Sequence, residues 1–206
     1  MVRNSNARLE EGSTRSKRRE ALRRQSILRA AAQAFRSRGF AATGMRDIAA
    51  AADLSPGNLY YYFGSKQDLL YFCQDESLDR LLASCAEIAG ADFPAPEKLE
   101  RIVRAHVSCT LGEIEGSAAH LEVDALGAEE RRRIVEKRDR YERAVRSVVE
   151  DGVHSGQFAP CDTRLVTRAI LGALNWTARW WDPDGPTTTG ALADSFARFL
   201  VRGLLP

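Results

Sequence analysis

The most chemically marked stretch of this 206-residue chain is Ser55-Pro56-Gly57-Asn58-Leu59-Tyr60-Tyr61-Tyr62-Phe63, with Lys66 just beyond it. Ser55 suits a helix N-cap, and Pro56 suits the first helical position, where its missing N–H costs nothing. At about 100° per residue, Leu59 and Phe63 point one way and Gly57 and Tyr61 the other, with Asn58, Tyr60 and Tyr62 on the flanks. The outward face would then carry a glycine, an amide and up to three phenols, which a soluble helix has little reason to show unless something lies against it. Phenol hydroxyls and the N–H groups of a helix start suit phosphate oxygens. An amide suits a base edge, and glycine lets a backbone come close to its partner. Lys66 opens the next helix, where the helix dipole does not favour a cation, and is read as a phosphate contact. Together these groups suit the surface of duplex DNA. The plainer account, an ordinary core aromatic, stays open for any single tyrosine.

The elements that must position this face lie directly before it. Thr43 is read as the N-cap of a short helix in which Met45, Ile48, Ala49 and Ala52 make a small apolar side. Arg46 stands outside that side and is read with Thr43 among the DNA contacts. Asp53-Leu54 is the turn, and aspartate tolerates the left-handed conformation better than most residues. Arg19 to Arg38 is a longer helix whose stripe is Leu22, Ile27, Leu28, Ala31, Ala34 and Phe35, with Arg23, Arg24, Arg29 and Arg36 outside and Gly39 at its end. Three helices thus form a head over residues 19–66. Residues 1–18 have little to bury and are expected to be a flexible basic arm.

Charge separates head from body. The chain carries 13 Lys/Arg against 5 Asp/Glu through Lys66, and 17 against 23 beyond it. A basic module on an acidic remainder is what a DNA-binding head should look like. No apolar run approaches the ~20 residues of a membrane span, and no signal peptide is visible. Cys73, Cys85, Cys109 and Cys161 are scattered, so reduced thiols and a cytoplasmic location are expected.

From Lys66 the apolar spacing predicts helices to about Ala89, from Glu97 to about Glu113, Ser117 to Leu126, Ala128 to about Ser155, Thr163 to about Trp181 and Thr188 to about Leu204. Gly90 to Pro96, Gly127, Gly156 to Pro160 and Pro183 to Pro186 interrupt them. Alternating runs and hairpin signals are missing. The predicted fold class is all-α, about nine helices in all: an N-terminal three-helix helix-turn-helix head on a C-terminal helical bundle. Residues 67–206 form the body, assigned to ligand binding and dimerisation.

Ile48-Ala49, then Leu54 through Phe63, then Ser65-Lys66-Gln67-Asp68-Leu69-Leu70 resembles the helix-turn-helix of the TetR family of bacterial transcriptional regulators. The chain departs from that pattern at Asp53, where glycine is usual, and at Gly44, where a hydroxyl residue is common. The resemblance implies a regulator, most often a repressor, with Thr43, Arg46, Ser55, Pro56, Gly57, Asn58, Tyr60, Tyr61, Tyr62 and Lys66 at a double-stranded, palindromic operator. It also implies a homodimer through the last two helices, which hold Trp176, Trp180, Trp181, Phe196 and Phe199, residue types enriched at interfaces. Gly156-Gln157-Phe158, Leu171 through Trp176, Arg179-Trp180-Trp181 and Pro183 through Pro186 resemble a subgroup that governs fatty-acid or steroid breakdown and answers to acyl-CoA thioesters. The ligand contacts implied are His106, Asn175, Trp176, Arg179 and Trp180. Arg179 suits phosphate or an adenine face, and equally an ion pair with Asp182 or Asp184. A satisfied core histidine is the blander account of His106.

Enzymatic classes find no support in the spacing. His106, His120 and His154 lie far apart, and no Gly-x-Ser-x-Gly, phosphate-binding glycine loop or His-Glu-x-x-His is present. His120, Glu122 and Asp124 do not share one helical face, so no metal site is assigned, and no cofactor is expected. The rival reading is an architectural DNA-binding protein without an effector.

Overall fold

The structure, a computed structural model, describes residues 3–112 and 122–206, and the side chains of its first helix from Arg18 on. Among the described residues there are eight α-helices, one 3-10 turn at Val123–Ala125 and no strand. The helices are α1 (Arg3–Arg38), α2 (Met45–Ala51), α3 (Pro56–Tyr62), α4 (Lys66–Gly90), α5 (Ala95–Leu111), α6 (Ala128–His154), α7 (Thr163–Trp180) and α8 (Thr189–Arg202). The all-α expectation holds. Most of the predicted helix at Ser117 to Leu126 lies outside the described residues, and its described end is the single 3-10 turn.

The first helix differs from its prediction. It starts at Arg3 rather than Arg19, so the stretch expected to be a flexible arm continues α1. Extending an existing helix needs no new nucleus, and therefore few apolar residues. Leu22 is 59% exposed, outside the stripe assigned to it. Arg24 does the reverse: its guanidinium lies over the rings of Phe63 and Phe72, 4.7 and 4.3 Å from their centroids. A flat, weakly hydrated cation covers an aromatic face where an ammonium would stay in water.

α1 packs on α2 and α4, and α2 on α3, which makes the head. Ile27, Ala31, Phe35, Ile48, Ala49, Leu59 and Phe63 are all buried at its centre. α4 begins in the head and ends in the body, where α5 packs against α4, α6, α7 and α8. Ala91 to Pro94 breaks the chain between α4 and α5, and Pro96 falls in the first turn of α5, where proline is tolerated.

α6 and α4 are joined by Lys137, whose ammonium meets the carboxylates of Asp75 and Asp79, the latter at 2.7 Å. One position further, Arg138 donates to Gln74 Oε1 at 3.3 Å. The turn after α6 closes the other end of the body. Gln157 Oε1 accepts from Ala95 N–H at 2.8 Å, supplying an acceptor to the open first turn of α5. Ala159 N–H donates to Leu204 O at 2.8 Å, and the buried Phe158 ring lies on Gly152. A Cβ at Gly152 would collide with that ring and approach Ala95. Gly152→Ala should therefore lower stability by about 1–3 kcal/mol, as overpacking does, and a thermal melt of the variant checks it.

Candidate functional site

α3 presents the face that the periodicity implies. Leu59 and Phe63 are 0% and 2% exposed, while Tyr61 is 79% and Tyr60 53% exposed. Gly57 and Asn58 are exposed too. Ser55 Oγ accepts from Asn58 N–H at 3.2 Å, so Ser55 is the N-cap and Pro56 the first helical residue. Capping uses an acceptor lone pair and leaves the hydroxyl proton for another partner. Tyr62 is half-buried against the core, its ring edge-on to Tyr61 with centroids 5.2 Å apart. It props Tyr61 outward and is the tyrosine of the three that belongs mainly to the core.

The turn before α3 has Asp53 at φ 55°, the left-handed conformation where glycine would be free of strain. Arg23 reaches across from α1 to the Asp53 carbonyl at 3.4 Å. Arg46 is exposed on α2. The α2 start is built differently from the prediction: Gly44 is the N-cap, and its N–H donates to Asp47 Oδ2 at 2.8 Å. Thr43 is 1% exposed, with Oγ1 2.7 Å from Gly39 O and 3.1 Å from Ala34 O. Its single hydroxyl proton is shared between these two carbonyls at the close of α1. Thr43 is therefore neither the cap of α2 nor placed to touch DNA.

Lys66, expected at an external phosphate, also turns to the protein itself. Its Nζ donates to Phe40 O at 2.7 Å and to Ala41 O at 3.4 Å, and lies 4.3 Å from the Phe40 ring centroid. The ammonium ties the start of α4 to the α1–α2 loop. A cation facing carbonyls and an aromatic ring does not suffer the unfavourable dipole that pointed to an external phosphate.

In the body, one cavity of about 380 Å³ lies between α4, α5, α6 and α7, lined by Leu78, Leu81, Thr110, Leu171 and a polar group of His106, Tyr141, Asn175, Arg138, Asp139 and Glu142. His106 is 2% exposed. Its Nδ1 lies 3.2 Å from the Tyr141 hydroxyl, and Nε2 has no hydrogen-bond partner. Burial lowers the imidazole to about 4, opposed in part by the neighbouring Asn175 amide. Burial likewise raises Tyr141 well above the usual phenol value. Both rings are neutral near pH 7. Burial also holds the Cys73 and Cys85 thiols up at about 12 and 11, so neither is a poised nucleophile.

Of the five predicted ligand residues, the structure brings His106 and Asn175 together at this cavity. Trp176, Arg179 and Trp180 are all exposed on the outside of α7 and line none of it. Arg179 follows Asn175 by one turn on the same side of α7, but lies beyond the residues that line the cavity. Tyr141 and Glu142 of α6 are cavity residues that the sequence analysis did not single out, and Tyr141 at helical spacing with Val145 and Val148 was the available signal. Among the described residues no group of three His, Cys, Asp or Glu is placed to hold a metal, and no helix is long and apolar enough to cross a membrane.

The outer side of α7 and α8 is apolar. Leu165, Trp176 and Phe199 are each more than 60% exposed. An open hollow of about 510 Å³ between the two helices is lined by Val166, Ala169, Ile170, Phe199, Leu200 and Leu204.

Residues 27–71 match the family model for bacterial regulatory proteins of the tetR family, and residues 92–204 match the tetracyclin repressor-like C-terminal domain. The chain belongs to the TetR family. It is a DNA-binding transcriptional regulator. It is 30% identical over 185 residues to the HTH-type transcriptional repressor KstR2 of Rhodococcus jostii, covering 88% of this chain and 91% of that one. Among solved structures it is similar to the TetR family regulator PfmR of Thermus thermophilus, with a TM-score of 0.78 and 34% identity over 87% of this chain and 99% of that one. The ketosteroid transcriptional regulator KstR2 of Mycobacterium tuberculosis superposes with a TM-score of 0.79 at 26% identity, over 89% of this chain and 95% of that one. The relatives it resembles are described as transcriptional regulators rather than enzymes.

His106 makes stability depend on pH. Its folded value of about 4 lies below the 6.5 of the free side chain, so between them the unfolded chain binds the extra proton. The contribution is complete above about pH 6.5 and lost as pH falls towards about 4, amounting to at most roughly 3 kcal/mol. Melting temperature should fall on acidification through this window, and His106→Gln should flatten the fall.

Proposed function

We propose that this protein is a homodimeric repressor that an apolar effector carrying a carbonyl group, such as an acyl-CoA thioester, releases from a palindromic operator. The observation that carries it is the exposed Gly57, Asn58, Tyr60 and Tyr61 face on a buried Leu59–Phe63 base, beside a helix, α4, that runs on to a body cavity lined by leucines and by polar side chains. In this reading Asn58 meets base edges. Arg46, Ser55 and the Tyr60 and Tyr61 hydroxyls meet phosphates, and Gly57 and Pro56 keep the approach clear. Residues 19–66 are the DNA-binding unit and 67–206 the sensing and dimerising unit. Acting on DNA, the protein works in the cytoplasm and needs no catalysis of its own.

A helix-turn-helix head reads one half-site, so a palindromic operator calls for two heads related by symmetry. Large exposed aromatics beside an apolar hollow on α7 and α8 favour that side as the dimer interface. Trp176 and Trp180 then serve the dimer rather than the ligand. The effector class is supported by the subgroup resemblance and by the description of one relative as a ketosteroid regulator. A volume of about 380 Å³ suits an acyl chain or a ring system, and leaves the nucleotide of a coenzyme A outside. Effector binding releases DNA only if it favours a head spacing that DNA does not. The cavity weighs against a purely architectural role.

DNA binding measured across salt concentrations tests the division of roles. Asn58→Ala should reduce the preference for operator over scrambled duplex. Arg46→Ala should weaken both duplexes alike and lower the salt slope by about one. Identical behaviour of the two variants counts against the assignment. For the dimer, Phe199→Glu should sediment as a monomer and lose most operator affinity; a dimer that persists would place the interface elsewhere.

A further inference from the structure

Among the described residues, two buried polar atoms of the cavity-lining side chains have no hydrogen-bond partner, His106 Nε2 and Glu142 Oε1, and of the two only the imidazole nitrogen can donate. Tyr141 has one hydroxyl proton, and His106 Nδ1 lies 3.2 Å from that oxygen. If Nδ1 carried the proton, the phenol hydrogen would need another acceptor and Nε2 another donor, so two buried groups would be left over. If the phenol donates to Nδ1, a single group remains, the Nε2–H. Unmet buried donors are costly, and the arrangement with fewer unmet groups is the stable one. The Tyr141 hydroxyl thus fixes the tautomer and leaves Nε2–H as a donor in the wall of a cavity that Leu78, Leu81 and Leu171 also line.

We infer that His106 is the group that reads the effector, by donating Nε2–H to an uncharged carbonyl oxygen on an apolar body, a ketone or a thioester. This rests on the effector reading proposed above and specifies its chemistry. A free carboxylate is disfavoured at the same place. Asp139 and Glu142 line the cavity with a single guanidinium, Arg138, which already donates to Gln74. Arg146 lies 3.6 Å from Glu142 and is shared with Glu150. The sensor therefore responds to the esterified or ketonic form of its ligand and stays on DNA in the presence of the free acid. Asn175 is the hydrogen-bonding neighbour that opposes the burial shift of the ring, and Nε2 itself has no partner within hydrogen-bond geometry.

Two sources of such a carbonyl are a fatty-acyl thioester and a ketosteroid, and matched pairs of probes separate them. Octanoyl-CoA is compared with its thioether S-octyl-CoA, which lacks the carbonyl oxygen, and with octanoic acid. Androstenedione is compared with androstane. Affinity for the full-length protein is read by calorimetry and by release of operator DNA. The carbonyl member of one pair should bind the natural protein about tenfold or more tightly than its partner, and the pair that shows this names the source. His106→Phe should bind both members of that pair alike. His106→Gln, which keeps a donor in the ring's place, should recover part of the preference, as Tyr141→Phe should lose part of it by freeing the tautomer. If both members of each pair bind the natural protein equally, or His106→Phe keeps the preference, the assignment of His106 is overturned and the effector reading stands. If no probe binds or releases DNA, the effector reading and this inference fall together. The comparison within the natural protein needs no variant, so it holds even if His106→Phe does not fold.

Discussion

A seven-residue helix cannot hold its own shape in water, because one turn of hydrogen bonds does not offset the cost of nucleation. The recognition face of α3 therefore depends on how firmly Leu59 and Phe63 are gripped. Each is essentially fully buried, which stabilises by about 1.5–3 kcal/mol per side chain. Phe63 is held on one side by Phe72 of α4, ring centroids 5.6 Å apart, and covered by the Arg24 guanidinium of α1. That grip faces Gly57, Asn58 and Tyr61 outward. It also makes the direction of α3 a function of where α1 and α4 lie.

The same dependence links the head to the body. α4 supplies Phe72 to the grip on α3 and, a turn or two later, Gln74, Asp75 and Asp79 to the side chains of α6. Those α6 partners, Lys137 and Arg138, adjoin the cavity wall at Asp139, Tyr141 and Glu142. A change in the position of α6 at the cavity is thus met within one helical turn by charged contacts to the helix on which the reading head rests. Surface ion pairs are weak individually. Here Lys137 is mostly buried and shared by two carboxylates, which favours one relative setting of α4 and α6.

Departures from the sequence-based expectations share one cause. Thr43 and Lys66 were given outward roles from local rules of capping and helix dipole, and both turn instead to carbonyls of a loop that folds against them. Arg24 turns inward because the aromatic pair it covers comes from α3 and α4. Trp176, Arg179 and Trp180 were grouped with Asn175 by proximity in sequence, whereas all three stand exposed on α7 and do not line the cavity that Asn175 borders.

By itself the sequence determined most of the helices, though not the N-terminal extent of α1, and with them the breaks at Gly39 and Pro94, the Ser55–Pro56 start of α3, its two faces and the charge of the head. Periodicity, capping and net charge are set by neighbours a few residues apart, so they can be read along the chain. Only the tertiary structure decided which polar groups become partners. His106, Tyr141 and Asn175 stand on α5, α6 and α7, with His106 and Tyr141 35 residues apart. No local rule joins them, because a buried hydrogen bond is chosen by the helices that happen to pack side by side.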